Sequence, residues 1–113
     1  MKIVDLNTFL KLPNGTVYAK FTPCEFEDIC VKEFADNELD WIYSPLLEVD
    51  ADELSDVYNI TNESYVEGTS FNLDVNYTRR DGFFDTKQLF AVYEKHDLVQ
   101  LIDKLNDSLK KAY

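Results

Sequence analysis

The hydrophobic pattern changes period several times along the chain. Leu6, Phe9 and Leu10 share one face at helical spacing behind Asp5, a good N-cap residue, so a short opening helix is expected. Pro13-Asn14-Gly15 ends it with strong turn chemistry. Thr16 to Phe21 is β-branched and aromatic, with Val17, Ala19 and Phe21 on one side, and reads as a strand that Pro23 breaks. A second strand is expected over Phe26 to Phe34, where imperfect alternation suggests a bulge or burial on both faces. Asp36-Asn37-Glu38 reads as a turn, and Leu39 to Tyr43 as a third strand ending before Pro45.

Asp50 and Glu53 have capping-box spacing, with Asp in place of Ser or Thr. Leu54, Val57 and Tyr58 then predict a short helix ending near Ile60, followed by a polar loop over Thr61 to Ser70. Phe71, Leu73, Val75 and Tyr77 alternate strictly with polar residues and give the clearest strand signal. Asp81-Gly82 signals a tight turn, with Arg79-Arg80 at a solvated hairpin tip. Phe83-Phe84 reads as a short return strand and Leu89 to Tyr93 as another. Asp97, with Gln100 three residues on, predicts the start of the strongest helix. Its stripe is Leu98, Leu101, Ile102, Leu105 and Leu109, and Lys104, Lys110 and Lys111 suit the negative end of the dipole. Strands in runs between helices predict an α+β fold. It would be a single compact domain over 1–113, with an antiparallel or mixed sheet of about five to six strands packed by the amphipathic C-terminal helix.

Composition supports a folded chain. Of 113 residues, 45% are hydrophobic and 14% aromatic, against only three glycines and three prolines. The N-terminal residues carry no apolar run of signal-peptide length and no segment reaches membrane-spanning length, so a soluble, cytoplasmic protein is expected. In that setting Cys24 and Cys30 are reduced structural residues, and the four Asn-x-Ser/Thr sequons at Asn14, Asn59, Asn62 and Asn76 are incidental.

Charge changes the picture most. Between Lys32 and Arg79 lie forty-six residues with twelve carboxylates and no Lys, Arg or His, a net of −12. The remainder holds all eleven basic residues and ten acids, so the formal net charge of −11 belongs to the middle of the chain. Such a surface attracts basic partners and repels nucleic acid and anionic membranes.

Tests for chemistry return little. His96 lies before the C-terminal helix with no nucleophile context, and Glu25, Glu27 and Asp28 would raise rather than lower a neighbouring thiol's pKa. An EF-hand loop beginning at Asp50 would place Leu54, Ser55 and Thr61 at positions five, six and twelve, none of them suitable. Three scattered glycines make no phosphate loop, and two cysteines with one histidine supply no zinc site. No enzyme activity, metal or cofactor is expected.

The carboxylates have two readings. In one they only keep the surface soluble. In the other they form a recognition face, since duplex DNA carries one charge per roughly 1.7 Å and a dozen carboxylates match about six or seven base pairs. The expected partner-binding residues are Glu38, Asp40, Glu48, Asp52, Asp56, Glu63, Glu67 and Tyr65. Trp41, Tyr43 and Tyr58 are further candidate anchors.

Residues 1–10 (MKIVDLNTFL), continuing into Leu12-Pro13-Asn14-Gly15-Thr16-Val17, resemble the start of small bacteriophage and prophage proteins. Arg80-Asp81-Gly82-Phe83-Phe84-Asp85 with Gln88-Leu89-Phe90-Ala91-Val92-Tyr93 resembles their C-terminal part. These stretches cover about a third of the chain and omit its acidic middle. The resemblance implies a short phage-type accessory protein. Such proteins often bind a host factor, and acidic inhibitors of CRISPR or restriction nucleases are one class. The expectation is a non-enzymatic inhibitor or modulator of a basic host protein, such as a nuclease, without direct contact to nucleic acid or membrane. The alternative is an accessory or assembly protein that binds through an apolar patch, its acidity incidental.

Overall fold

The computed structural model describes residues 1–35, 40–81 and 85–113. The fold is α+β, with seven antiparallel strands and three helices among the described residues. In chain order these are β1 (Lys2–Val4), α1 (Leu6–Leu10), β2 (Val17–Thr22), β3 (Glu25–Phe26), β4 (Cys30–Ala35), β5 (Trp41–Pro45), α2 (Leu54–Glu67), β6 (Arg79–Asp81), β7 (Leu89–Val92) and α3 (Lys95–Ala112). The sheet runs β1-β7-β2-β4-β5-β6, with β3 paired to β2.

The core forms where α1 crosses one sheet face. Phe9 is fully buried and stacks on Phe90 with centroids 4.1 Å apart. The edges of Tyr18 and Trp41 meet it at 4.6 and 5.2 Å. The Trp41 Nε1–H donates to the Tyr18 hydroxyl at 2.8 Å, which satisfies the polar ends of both rings inside the core. A five-residue helix is not stable alone. Asp5 caps its start by accepting from the Thr8 N–H at 2.8 Å, as expected. Its other end is held by Lys32, 1% exposed, whose Nζ donates to the carbonyls of Phe9, Leu10 and Leu12 at 3.2, 2.9 and 2.5 Å. Gly15, at φ 92, supplies the left-handed turn residue that leads into β2.

Several expectations are corrected. The expected strand over Phe26 to Phe34 is two strands, β3 and β4, and β4 carries the anticipated bulge between Lys32 and Phe34. The third strand begins at Trp41 and includes Pro45. On β2 the helix covers the parity of Tyr18, opposite to Val17, Ala19 and Phe21. The second helix runs past Ile60 to Glu67. Thr61 is tolerated because its hydroxyl donates to the Val57 carbonyl at 2.8 Å, and Gly68 closes the helix at φ 73. Asp50 and Glu53 form no capping box; Glu53 is the N-cap and makes no side-chain cap bond.

The segment Phe71 to Thr78 is not a strand. One bridge, Leu73 to Val49, holds it, and Asp74 bends the chain by accepting from the Asn76 N–H at 3.0 Å. Arg79 and Arg80 lie inside β6 rather than at a hairpin tip. The last helix starts three residues before the expected Asp97 cap: Glu94 is the N-cap, in a reciprocal capping box with Asp97. The Asp36-Asn37-Glu38 turn, Leu39, Gly82 and the Phe83-Phe84 strand lie outside the described residues.

As expected, α3 packs on the sheet; among the described residues it does so through its first turn, where the Met1 amino group lies 2.7 Å from Asp97 and Leu98 is half-buried. Beyond it, Val99, Leu101, Ile102, Leu105 and Leu109 are 41–68% exposed. Accordingly the radius of gyration is 16.3 Å, against about 13 Å for a compact chain of this length.

Candidate functional site

The segment 46–78 leaves the sheet between two neighbouring strands. β5 and β6 pair directly, Tyr43 with Arg79 and Trp41 with Asp81, and everything between them is an excursion carrying eight carboxylates and no basic residue. Its base is clamped by Val49 and Leu73 and by backbone bonds from Asp50 to Asn72 and from Asp74 to Glu48, each 2.9 Å. α2 is its outer part and buries no residue fully.

The expected recognition residues separate into groups. Glu38 lies outside the described residues. Asp40 and Glu48 are neutralised: Asp40 accepts from Arg80, and Glu48 from Arg79 at 2.8 Å. The remaining acids belong to α2 and its approach. At about 100° per residue, Asp56, Glu63 and Glu67 fall within about 40° of one another and span roughly 16 Å of helix. Asp50, Asp52 and Asp56 border a hollow of about 340 Å³ at the helix start. Among the described residues no lysine, arginine or histidine lies within ion-pair distance of Asp52, Asp56, Glu63 or Glu67.

Tyr65, 90% exposed, is not part of that row. With Leu54 and Tyr58 it occupies the opposite flank, about 180° around the helix. The half-buried residues Val57, Ile60, Thr61 and Ser64 lie between the two flanks on one side. A single flat partner therefore cannot cover both the acids and the tyrosines. Trp41 is a core residue, and Tyr43 is half-buried at the edge of a cavity.

That cavity, about 420 Å³, was not anticipated from the sequence. It lies on the α1 side of the sheet and is lined among others by Tyr18, Lys20, Cys30, Tyr43, Arg79 and Asp81. Four of its charges pair, Lys20 with Asp81 at 2.7 Å and Arg79 with Glu48 at 2.8 Å, and Glu27 and Asp28 add two further carboxylates to its wall. Burial raises the Tyr18 and Tyr43 hydroxyl pKa values. Burial, followed by the Asp28 charge, pushes the Cys30 thiol up to about 11. The acidic flanks were expected to act in this direction, and an elevated pKa leaves a poor nucleophile. Only strand pairing brings these residues together, so no local motif announces them.

Cys24 and Cys30 are both free thiols. His96 sits in the first turn of α3 rather than in the loop before it, exposed and 3.3 Å from Asp97. Among the described residues no three His, Cys, Asp or Glu side chains are grouped to hold a metal ion, and no helix is long and apolar enough to cross a membrane. No protein-family model matches the chain, and no curated protein or solved structure matches it.

Proposed function

We propose that this is a non-enzymatic binding protein whose acidic α2 flank engages a basic, nucleic-acid-handling protein in place of its nucleic acid. The observation that carries this reading is the row Asp56, Glu63 and Glu67, continued by Asp50 and Asp52, with no ion-pair partner among the described residues. A helix fixes the spacing of these charges, so they meet a cationic groove pre-arranged, and the hollow at the helix start receives a lysine or arginine side chain. Asp40 and Glu48 drop out of the face because Arg80 and Arg79 neutralise them. By analogy with the small phage proteins that the chain's two ends resemble, the partner in this reading is a bacterial defence nuclease.

Capture from a bacterial lysate at low salt, with mass spectrometry of what is retained, tests the reading. Basic nucleic-acid-binding proteins should be retained, released by salt, and lost to the triple variant Asp56→Asn/Glu63→Gln/Glu67→Gln. Retention of the same proteins by the triple variant, or of no basic protein at all, ends it. The second reading, an accessory protein that binds through an apolar patch, is favoured by the exposed stripe of α3. It predicts association that salt does not weaken.

A further inference from the structure

The same stripe leads to an inference independent of the acidic flank. After its first turn α3 carries apolar residues in a strict rhythm: Leu98, Ile102, Leu105, Leu109 and Ala112, spaced four, three, four and three. That spacing matches the a and d positions of a coiled coil over two heptads, with β-branched Ile102 and Leu109 at a and Leu98 and Leu105 at d. The flanking e and g positions from Val99 onward are Val99, Leu101, Asn106, Ser108 and Tyr113, none of them charged. From His96 onward, every charged or titratable residue of the helix (His96, Asp97, Asp103, Lys104, Asp107, Lys110 and Lys111) falls on the outer b, c and f positions. Lys111 pairs there with Asp107 at 2.9 Å within one helix. The seam is uncovered in the single chain: Ile102, Leu105 and Leu109 are 56, 68 and 60% exposed.

We infer that this seam is covered by α3 of a second copy of the same chain. Three observations select that occupant. First, the surface is self-complementary, as a two-fold interface requires. Second, charge permits it. Four lysines against three aspartates leave α3 at +1 while the rest of the chain is −12, so a dimer joined through α3 keeps its acidic bodies apart. Third, the area is there. The single chain has 8453 Å² of accessible surface, where a folded monomer of its mass exposes about 6400 Å². The excess of roughly 2000 Å², shared between the excursion and α3, leaves room for the 800 Å² or so that one partner contributes to a standard interface.

Sedimentation equilibrium of the full chain from micromolar to ~100 µM is the test, since such assemblies depend on protomer concentration. The expected result is twice the single-chain mass of 13.2 kDa. The dimer should tighten with added salt, because salt screens repulsion between the bodies and leaves an apolar seam intact. Ile102→Asp/Leu105→Asp should give a monomer with an unchanged unfolding midpoint for the sheet. Asp103→Ser/Asp107→Ser, on the outer face, should stay dimeric. A wild-type monomer at ~100 µM, or a dimer that survives Ile102→Asp/Leu105→Asp, overturns the inference. So does dispersal by Ile3→Lys/Phe34→Lys on the sheet face away from α1, which would place α3 on a partner's sheet instead. Salt separates this proposal from the acidic-flank reading, because the partner complex weakens as the dimer strengthens.

Discussion

Two regions of this small chain are built in opposite ways. Under α1, Phe9, Tyr18, Trp41 and Phe90 interlock with 0–3% exposure, and even the ammonium of Lys32 is enclosed and hydrogen-bonded. In the excursion, α2 has no buried residue, and Leu54, Tyr58 and Tyr65 are 71–90% exposed. The first region uses its side chains to hold the fold together. The second takes its position from two strand ends and a short clamp, and leaves its side chains free for other molecules. Stability and the proposed recognition are therefore carried by different regions, and mutations should sort by region rather than by residue type.

The largest effect should come from Phe9→Ala, which removes the ring at the centre of three aromatic contacts. A loss of about 3–5 kcal/mol is expected, read from urea denaturation followed through Trp41, the single tryptophan. Lys32→Met keeps the volume but strands three carbonyls at the end of α1. A loss on the order of 3 kcal/mol should follow, and a change under half of that would show that water takes over the capping. Asp5→Ala should have a smaller effect that depends on pH. The Thr8 hydrogen bonds hold the Asp5 carboxyl below its usual pKa. Its contribution is therefore complete above the unfolded value and lost as pH falls through the folded one. The midpoints of wild type and Asp5→Ala should converge on acidification, and parallel curves would refute the capping role. Smallest of all, Tyr65→Ala on the exposed flank should stay within about 0.5 kcal/mol of wild type. A larger loss would mean that the two regions are coupled after all.

Features that depend on neighbours in sequence were legible beforehand. The Asp5 cap, the Pro13-Asn14-Gly15 turn and the strands at Val17 and Leu89 follow from local chemistry. What failed depended on partners far along the chain. The alternation at Phe71 to Tyr77 describes a pleat, yet among the described residues only Val49 bridges to it. Thr61 and Asn62 read as a helix end because the bond from Thr61 back to Val57 is invisible in the pattern. The acidic count was legible, but its neutralised part was not. Arg79 and Arg80 reach Glu48 and Asp40 only through the register of β5 with β6. The α3 stripe was read correctly as amphipathic, while its exposure is set by where the helix points after its first turn.

The route of the excursion out of the sheet has an evolutionary consequence. Because its two ends leave side by side from paired strands, the chain between them closes a loop whose entropic cost rises only about 0.6 kcal/mol for each doubling of length. The sheet needs Tyr43 opposite Arg79 and is nearly indifferent to what joins them. The acidic unit is thus a cassette in a fixed socket. It can lengthen, shorten or change its charge while the aromatic core beneath α1 stays as it is, so a lineage can rebuild this surface without re-solving how the protein folds.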